Sequence, residues 1–60
     1  MSGITNVKIQ VETQPGVWMT NSRGAFGPQG IVQAMRSAQR IYPGKRVRAV
    51  DLNDRLIDML

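Results

Sequence analysis

A single segment with helical periodicity, bracketed by proline and glycine at both ends, sets what this chain can become. Between Gly27-Pro28 and Pro43-Gly44, the apolar residues Ile31, Ala34, Met35, Ala38, Ile41 and Tyr42 recur at the spacing that lines one face of a 3.6-residue helix. Gln29, Gln33, Arg36 and Arg40 fall opposite them. Gly27 is a tolerable N-cap, and Pro28 suits the first helical position, where its missing N–H has no intrahelical partner to lose. Gly30 weakens the first turn. Pro43 disfavours helical dihedrals at Tyr42, and Gly44 can supply a left-handed or turn conformation, so the spacing predicts a helix over about 28–42.

On either side of this helix the period changes from 3.6 to 2. Val7-Lys8-Ile9-Gln10-Val11-Glu12 alternates apolar and polar side chains, which predicts a strand with one face on a core. Thr13-Gln14-Pro15-Gly16 carries turn chemistry, and Val17-Trp18-Met19-Thr20 returns with β-branched and aromatic residues, so a hairpin is expected. A loop of even length sets Trp18 on the Val11 face, whereas a three-residue loop sets Met19 there, because a one-residue slip exchanges the faces. The expectation is Trp18 inward. Asn21-Ser22-Arg23-Gly24-Ala25-Phe26-Gly27, rich in small residues, reads as a loop leading to the helix, with Phe26 docking on the core beside the first helical turn.

After the helix, residues 46–51 and 55–60 flank Leu52-Asn53-Asp54, and a three-residue hairpin loop pairs Asp51 with Arg55, Val50 with Leu56, Ala49 with Ile57, Arg48 with Asp58 and Val47 with Met59. Opposite charges then face each other and apolar residues meet apolar ones. Asp54 occupies the left-handed position, which Asp tolerates better than most residues.

The fold class that follows is α+β: a β-β-α-β-β chain forming an antiparallel sheet with a single amphipathic helix packed on one face. Sixty residues make one small domain, spanning 1–60 with residues 1–3 expected to fray. A chain this short buries only about 60% of the surface it would expose unfolded, so self-association into a homodimer is expected to help it. One helix covers one sheet face. The other is expected to carry Lys8, Gln10, Glu12, Arg48 and Asp58 around an apolar island of Val50 and Leu56.

Composition then excludes chemistries. The chain has neither cysteine nor histidine, which removes disulfides, zinc sites and the commonest general bases and nucleophiles. No metal, cofactor or catalytic residue is expected, and no enzymatic activity. Clustered carboxylates could serve a magnesium-dependent nuclease, but the expected pairing sets Asp51 and Asp58 on opposite faces. The glycine-bearing stretch before the helix lacks the lysine and spacing of a phosphate-binding loop. No apolar run is long enough to span a bilayer, and a cytoplasmic location without membrane contact is the expectation.

The formal charge of +4 points instead to polyanions or acidic protein surfaces. No acidic residue interrupts the sequence between Glu12 and Asp51, a span holding Arg36, Arg40, Lys45, Arg46 and Arg48. Gln29, Gln33, Arg36 and Arg40, continued in sequence by Lys45 and Arg46, form the candidate binding surface, since arginine suits phosphates and glutamine suits base edges. The same cations also fit a plainly solvated helix face. Trp18, Phe26 and Tyr42 are expected in the core. The functional expectation is a small basic binding or regulatory protein with DNA or RNA as its partner. The alternative is a protein-interaction module: an inhibitor, adaptor or self-associating structural protein of the kind phages and mobile elements encode, using the open sheet face or an edge against an acidic partner.

Overall fold

The computed structural model describes residues 3–60, so the frayed start expected at residues 1–3 lies outside the described residues except for Gly3, which is exposed. The element order is β1 (Thr5–Gln14), β2 (Val17–Phe26), α1 (Pro28–Ile41), β3 (Val47–Asp51) and β4 (Leu56–Met59). The strands form one antiparallel sheet in the order β2-β1-β3-β4. Because β2 and β3 both run antiparallel to β1, they run parallel to each other, and a parallel pair needs a crossover between them. α1 is that crossover, which is why the one helix among the described residues lies across the sheet.

The alternation in β1 does what its period requires. Val7, Ile9 and Val11 face α1 and are 0–1% exposed, and Val47 and Ala49 of β3 lie beside them in register. Ile31, Met35 and Ala38 close this core from the helix, with Phe26, Val32, Ala34 and Tyr42 packed at its margin. Each large aliphatic side chain taken out of water here contributes roughly 1.5–3 kcal/mol.

The helix ends where proline and glycine punctuate it. Gly27 is an extended N-cap whose carbonyl accepts the first helical bond from the Ile31 N–H at 3.0 Å. Tyr42 closes the other end by donating its N–H to the Ala38 carbonyl at 2.9 Å, and Gly44 takes the left-handed conformation with φ of 81°. Ile41 departs from its expected place on the buried face: it is the last helical residue and is 63% exposed.

Three features of the sheet differ from the sequence reading, and each is a matter of register. Asn21 to Phe26 is not a loop; β2 runs through it, pairing Thr5 with Phe26, Asn6 with Ala25, Val7 with Gly24 and Lys8 with Arg23. Small residues of modest strand propensity are held extended there by the N-terminal half of β1. Trp18 is not inward. The Pro15-Gly16 turn does have two residues, but an irregularity between Glu12 and Gln14 leaves Thr13 without a partner, and the slip pairs Val11 with Met19 and Glu12 with Trp18. Met19 therefore takes the helix side and Trp18 the open side. A further bulge, at Ile57, preserves the expected Val50–Leu56 pair but places Asp58 opposite Ala49 and Met59 opposite Arg48. The expected Arg48–Asp58 pair is thereby lost, and Asp58 shares the register face of Asp51 instead of opposing it.

Phe26 accounts for two glycines. A Cβ on Gly24 would lie 2.9 Å from the Phe26 ring, and one on Gly30 would lie 3.3 Å from the Phe26 Cβ. The ring fills the space between strand and first helical turn because neither glycine has a side chain to put there. The Gly30 that weakens the helix in isolation is the residue that lets it approach the sheet.

Candidate nucleic-acid interface

The helix contributes the first surface. Its outward residues Gln29, Gln33, Arg36, Ser37, Gln39 and Arg40 are all exposed, and its sequence contains no acidic residue. Gln29, Gln33 and Arg36 line a shallow groove of about 430 Å³ with Pro28 and Val32, and Arg36 and Arg40 line a second of about 460 Å³ with Gln39 and Leu60. Among the described residues neither Arg36 nor Arg40 has a carboxylate partner. They are four apart, a like-charge spacing that costs a helix roughly 0.2–0.5 kcal/mol, partly offset by their position toward its negative end.

The turn residues that continue the stripe in sequence do not continue it in space. Lys45 reaches to the other end of the first hairpin, where its Nζ donates to the Thr13 carbonyl at 3.4 Å. Arg46 lies across from Glu12 and turns to the sheet face that α1 leaves open: its Nη1 is 3.8 Å from the Glu12 carboxylate, its Nη2 donates to the Met59 Sδ at 3.2 Å, and its guanidinium is 5.8 Å from the Trp18 ring centre. Of the six candidate residues, Gln29, Gln33, Arg36 and Arg40 form one surface; Arg46 belongs to another, and Lys45 sits at the margin.

That second surface is the open face, and its rows can be read across the strands. One row is Trp18, Glu12 and Arg46; the next is Thr20, Gln10, Arg48 and Met59; the third is Arg23, Lys8, Val50 and Leu56. Arg48 is the centre. Its Nε donates to the Gln10 Oε1 at 2.9 Å, and its guanidinium lies 4.1 Å from the centre of the Trp18 ring, a cation–π contact spanning two strands. Gln10 is 8% exposed, with its amide nitrogen donating to the Thr20 Oγ1 at 3.3 Å, so both ends of the amide are used and its orientation is fixed. Val50 is fully buried on this helix-free face, flanked in register by Lys8 and Leu56.

Comparisons with protein-family models, curated proteins and solved structures find no match. Geometry and chemistry therefore carry the functional reading.

The acidic residues are occupied locally. Asp54 accepts from the Lys8 ammonium, and this hydrogen bond, with the charge of Lys8, holds the Asp54 carboxyl below its ordinary pKa. Glu12 accepts the Gly16 N–H at 2.9 Å, closing the first hairpin turn, while Asp51 Oδ1 accepts from the Asn53 and Arg55 N–H groups at 2.8 and 2.9 Å, closing the second. Asp58 accepts its neighbour's N–H, from Met59, at 2.8 Å. No group of three metal-ligating side chains exists among the described residues, and no helix among them is long and apolar enough to cross a membrane. Arg23, Arg36, Arg40 and Arg55 are exposed and form no ion pair among the described residues, while Arg48, also without one, is half-buried against Trp18.

Trp18 and Arg48 are the site residues that sequence reasoning misplaced or left out of the candidate set. Charge drew attention to Arg48, but its partnership with Trp18 depends on the Thr13 bulge, which has no signature in the alternation.

Proposed function

We propose that this protein acts by binding nucleic acid, with the outer stripe of α1 contacting phosphates through Arg36 and Arg40 and offering amide groups through Gln29 and Gln33. One observation carries the reading: the polar stripe of the helix presents amide, hydroxyl and guanidinium groups and no carboxylate side chain, and among the described residues its arginines form no ion pair. Such a face supplies what a phosphate backbone takes up, donors and uncompensated positive charge. Gln33 and Arg36, neighbours on the surface, suit the base-edge and phosphate contacts of a helix lying in a groove.

Titration of a labelled oligonucleotide at low salt tests it. Binding should weaken steeply as salt rises, and replacing Arg36 and Arg40 with Ala should reduce the log–log salt slope by about one unit per lost phosphate contact. Absence of binding at low salt, or a double variant that binds as the parent does, refutes the proposal. An acidic protein surface is the competing partner; stoichiometric recovery of such a protein from nuclease-treated lysate, with no oligonucleotide binding, would favour it.

A homodimer is a second reading, and the β4 edge favours it. This strand has four residues and no strand pairs with its outer edge among the described residues, and Leu56, Ile57 and Leu60 around it are 58%, 39% and 42% exposed. A second copy covering these residues would remove the edge and enlarge a small core. Sedimentation equilibrium should then show mass rising with concentration toward twice the chain mass, and a concentration-independent monomer would overturn it.

A further inference from the structure

The open sheet face brings together an aromatic ring, a stacked guanidinium and uncompensated charge, none of which the core requires. Four cations lie on it, Lys8, Arg23, Arg46 and Arg48, against two carboxylates, Glu12 and Asp54, which are already engaged by Arg46 and Lys8. Lys8 and Arg23 are directly opposite across β1 and β2, a like-charge arrangement that works against the sheet. Arg46 and Arg48 converge on the same indole at 5.8 and 4.1 Å. Glu12 and Asp54 each offset one cation of these pairs, so the uncompensated charge of the face is that of Arg23 and Arg48, and a polyanion lying across it would meet both.

The aromatic component narrows the partner further. Trp18 is half-buried and Arg48 lies against its ring, which leaves a planar cation on an aromatic support. Gln10 holds the Arg48 Nε, so the plane is positioned before anything binds. Planar guanidinium and indole surfaces stack with nucleobases, which are reachable when unpaired and hidden in a duplex.

We propose that the open face of the sheet is a docking surface for a single-stranded nucleic-acid segment, with one base stacked on the Trp18–Arg48 pair and neighbouring phosphates held by Arg46, Arg23 and Lys8. This rests on the nucleic-acid reading above but assigns a different face and a single-stranded form. The open face and α1 lie on opposite sides of the sheet.

Trp18 is the only tryptophan in the chain, so its emission reports on this face alone. The experiment titrates the full chain with a short unlabelled oligothymidylate and with a duplex of equal length, following Trp18 emission, while anisotropy of labelled copies reports binding to any face. The proposal expects saturable quenching by the single strand and none by the duplex. Arg48→Lys, which keeps the charge and loses the plane, and Trp18→Leu should each weaken single-strand binding about tenfold. The Lys variant, a surface change, secures the result should the Leu variant fail to fold by circular dichroism. Binding by anisotropy with Trp18 emission unmoved would overturn the proposal and leave the nucleic-acid reading intact. Equal quenching by duplex, or parental affinity in Arg48→Lys, would also overturn it. No anisotropy change at low salt would remove both readings. Emission that shifts with protein concentration alone would assign this face to a second copy of the chain instead.

Discussion

Phe26 shows how one residue settles questions that its neighbours leave open. Its ring occupies the space above Gly24 and beside Gly30, so these two glycines have opposite exposure to substitution. Gly24→Ala drives a methyl to within 2.9 Å of a ring that the helix prevents from moving away, and should destabilise by about 1–3 kcal/mol. Gly30→Ala meets Phe26 at 3.3 Å, a smaller intrusion, and gains about 1 kcal/mol of helix propensity, so it should fall within about 1 kcal/mol of the parent. Chemical denaturation of both variants checks the contrast, and equal destabilisation would mean that the ring is free to shift. Asp54 sits at φ of 62° and accepts from Lys8. Its pKa is depressed in the folded state, so the associated stability is present above the unfolded value near 3.9 and is lost as pH falls through the folded value. Asp54→Asn should therefore lower stability at neutral pH and lose that deficit in strong acid, read from melting curves on both sides of this range. A deficit unchanged by pH would assign the effect to the backbone and not to the ion pair.

Among the elements, α1 was the most legible and β2 the least. The periodicity of Ile31, Met35 and Ala38 marks the buried stripe because a helix interior has few ways to satisfy it. Ile41 follows the same period but lies at the last turn and is 63% exposed. Met35→Ala should consequently cost about 2–5 kcal/mol, and Ile41→Ala no more than about 0.5 kcal/mol. Thermal unfolding separates the two, and comparable losses would place Ile41 in a contact that an isolated chain does not show. β2 escaped recognition past Thr20 because Asn21, Ser22 and Gly24 have little strand preference of their own. Their extension comes from β1, whose donors and acceptors need partners on that side.

For the whole molecule, charge is the property that most affects behaviour. Lys8 faces Arg23, Arg46 and Arg48 share an indole, and Arg36 and Arg40 are one helical turn apart, while the two observed ion pairs involve exposed partners, Asp54 at 69% and Arg46 at 60% side-chain exposure. Each pair joins a mostly buried side chain, Lys8 or Glu12, to an exposed partner that solvent screens, and two such pairs stand against three like-charge neighbours, so repulsion outweighs them. Moderate salt should raise the melting temperature from its low-salt value by screening this repulsion while weakening any bound polyanion. A melting temperature that falls with salt would show that the ion pairs dominate. The helix stripe and the open face lie on opposite sides of the sheet, so the six candidate residues do not form one surface: Gln29, Gln33, Arg36 and Arg40 lie on the helix, Arg46 on the open face and Lys45 at the margin.

The element order, the helix and its ends, the alternation that fills the core from β1, the second hairpin's Val50–Leu56 pair and the left-handed Asp54 all follow from local sequence. These are local: each follows from a period, a proline, a glycine or a short loop. The partner of each side chain across the sheet was decided only by tertiary structure, because unpaired residues at Thr13, Asn21 and Ile57 shift the register, and a shift of one residue exchanges the faces. That is why Trp18, expected within the core, instead lies on the open face beneath Arg48.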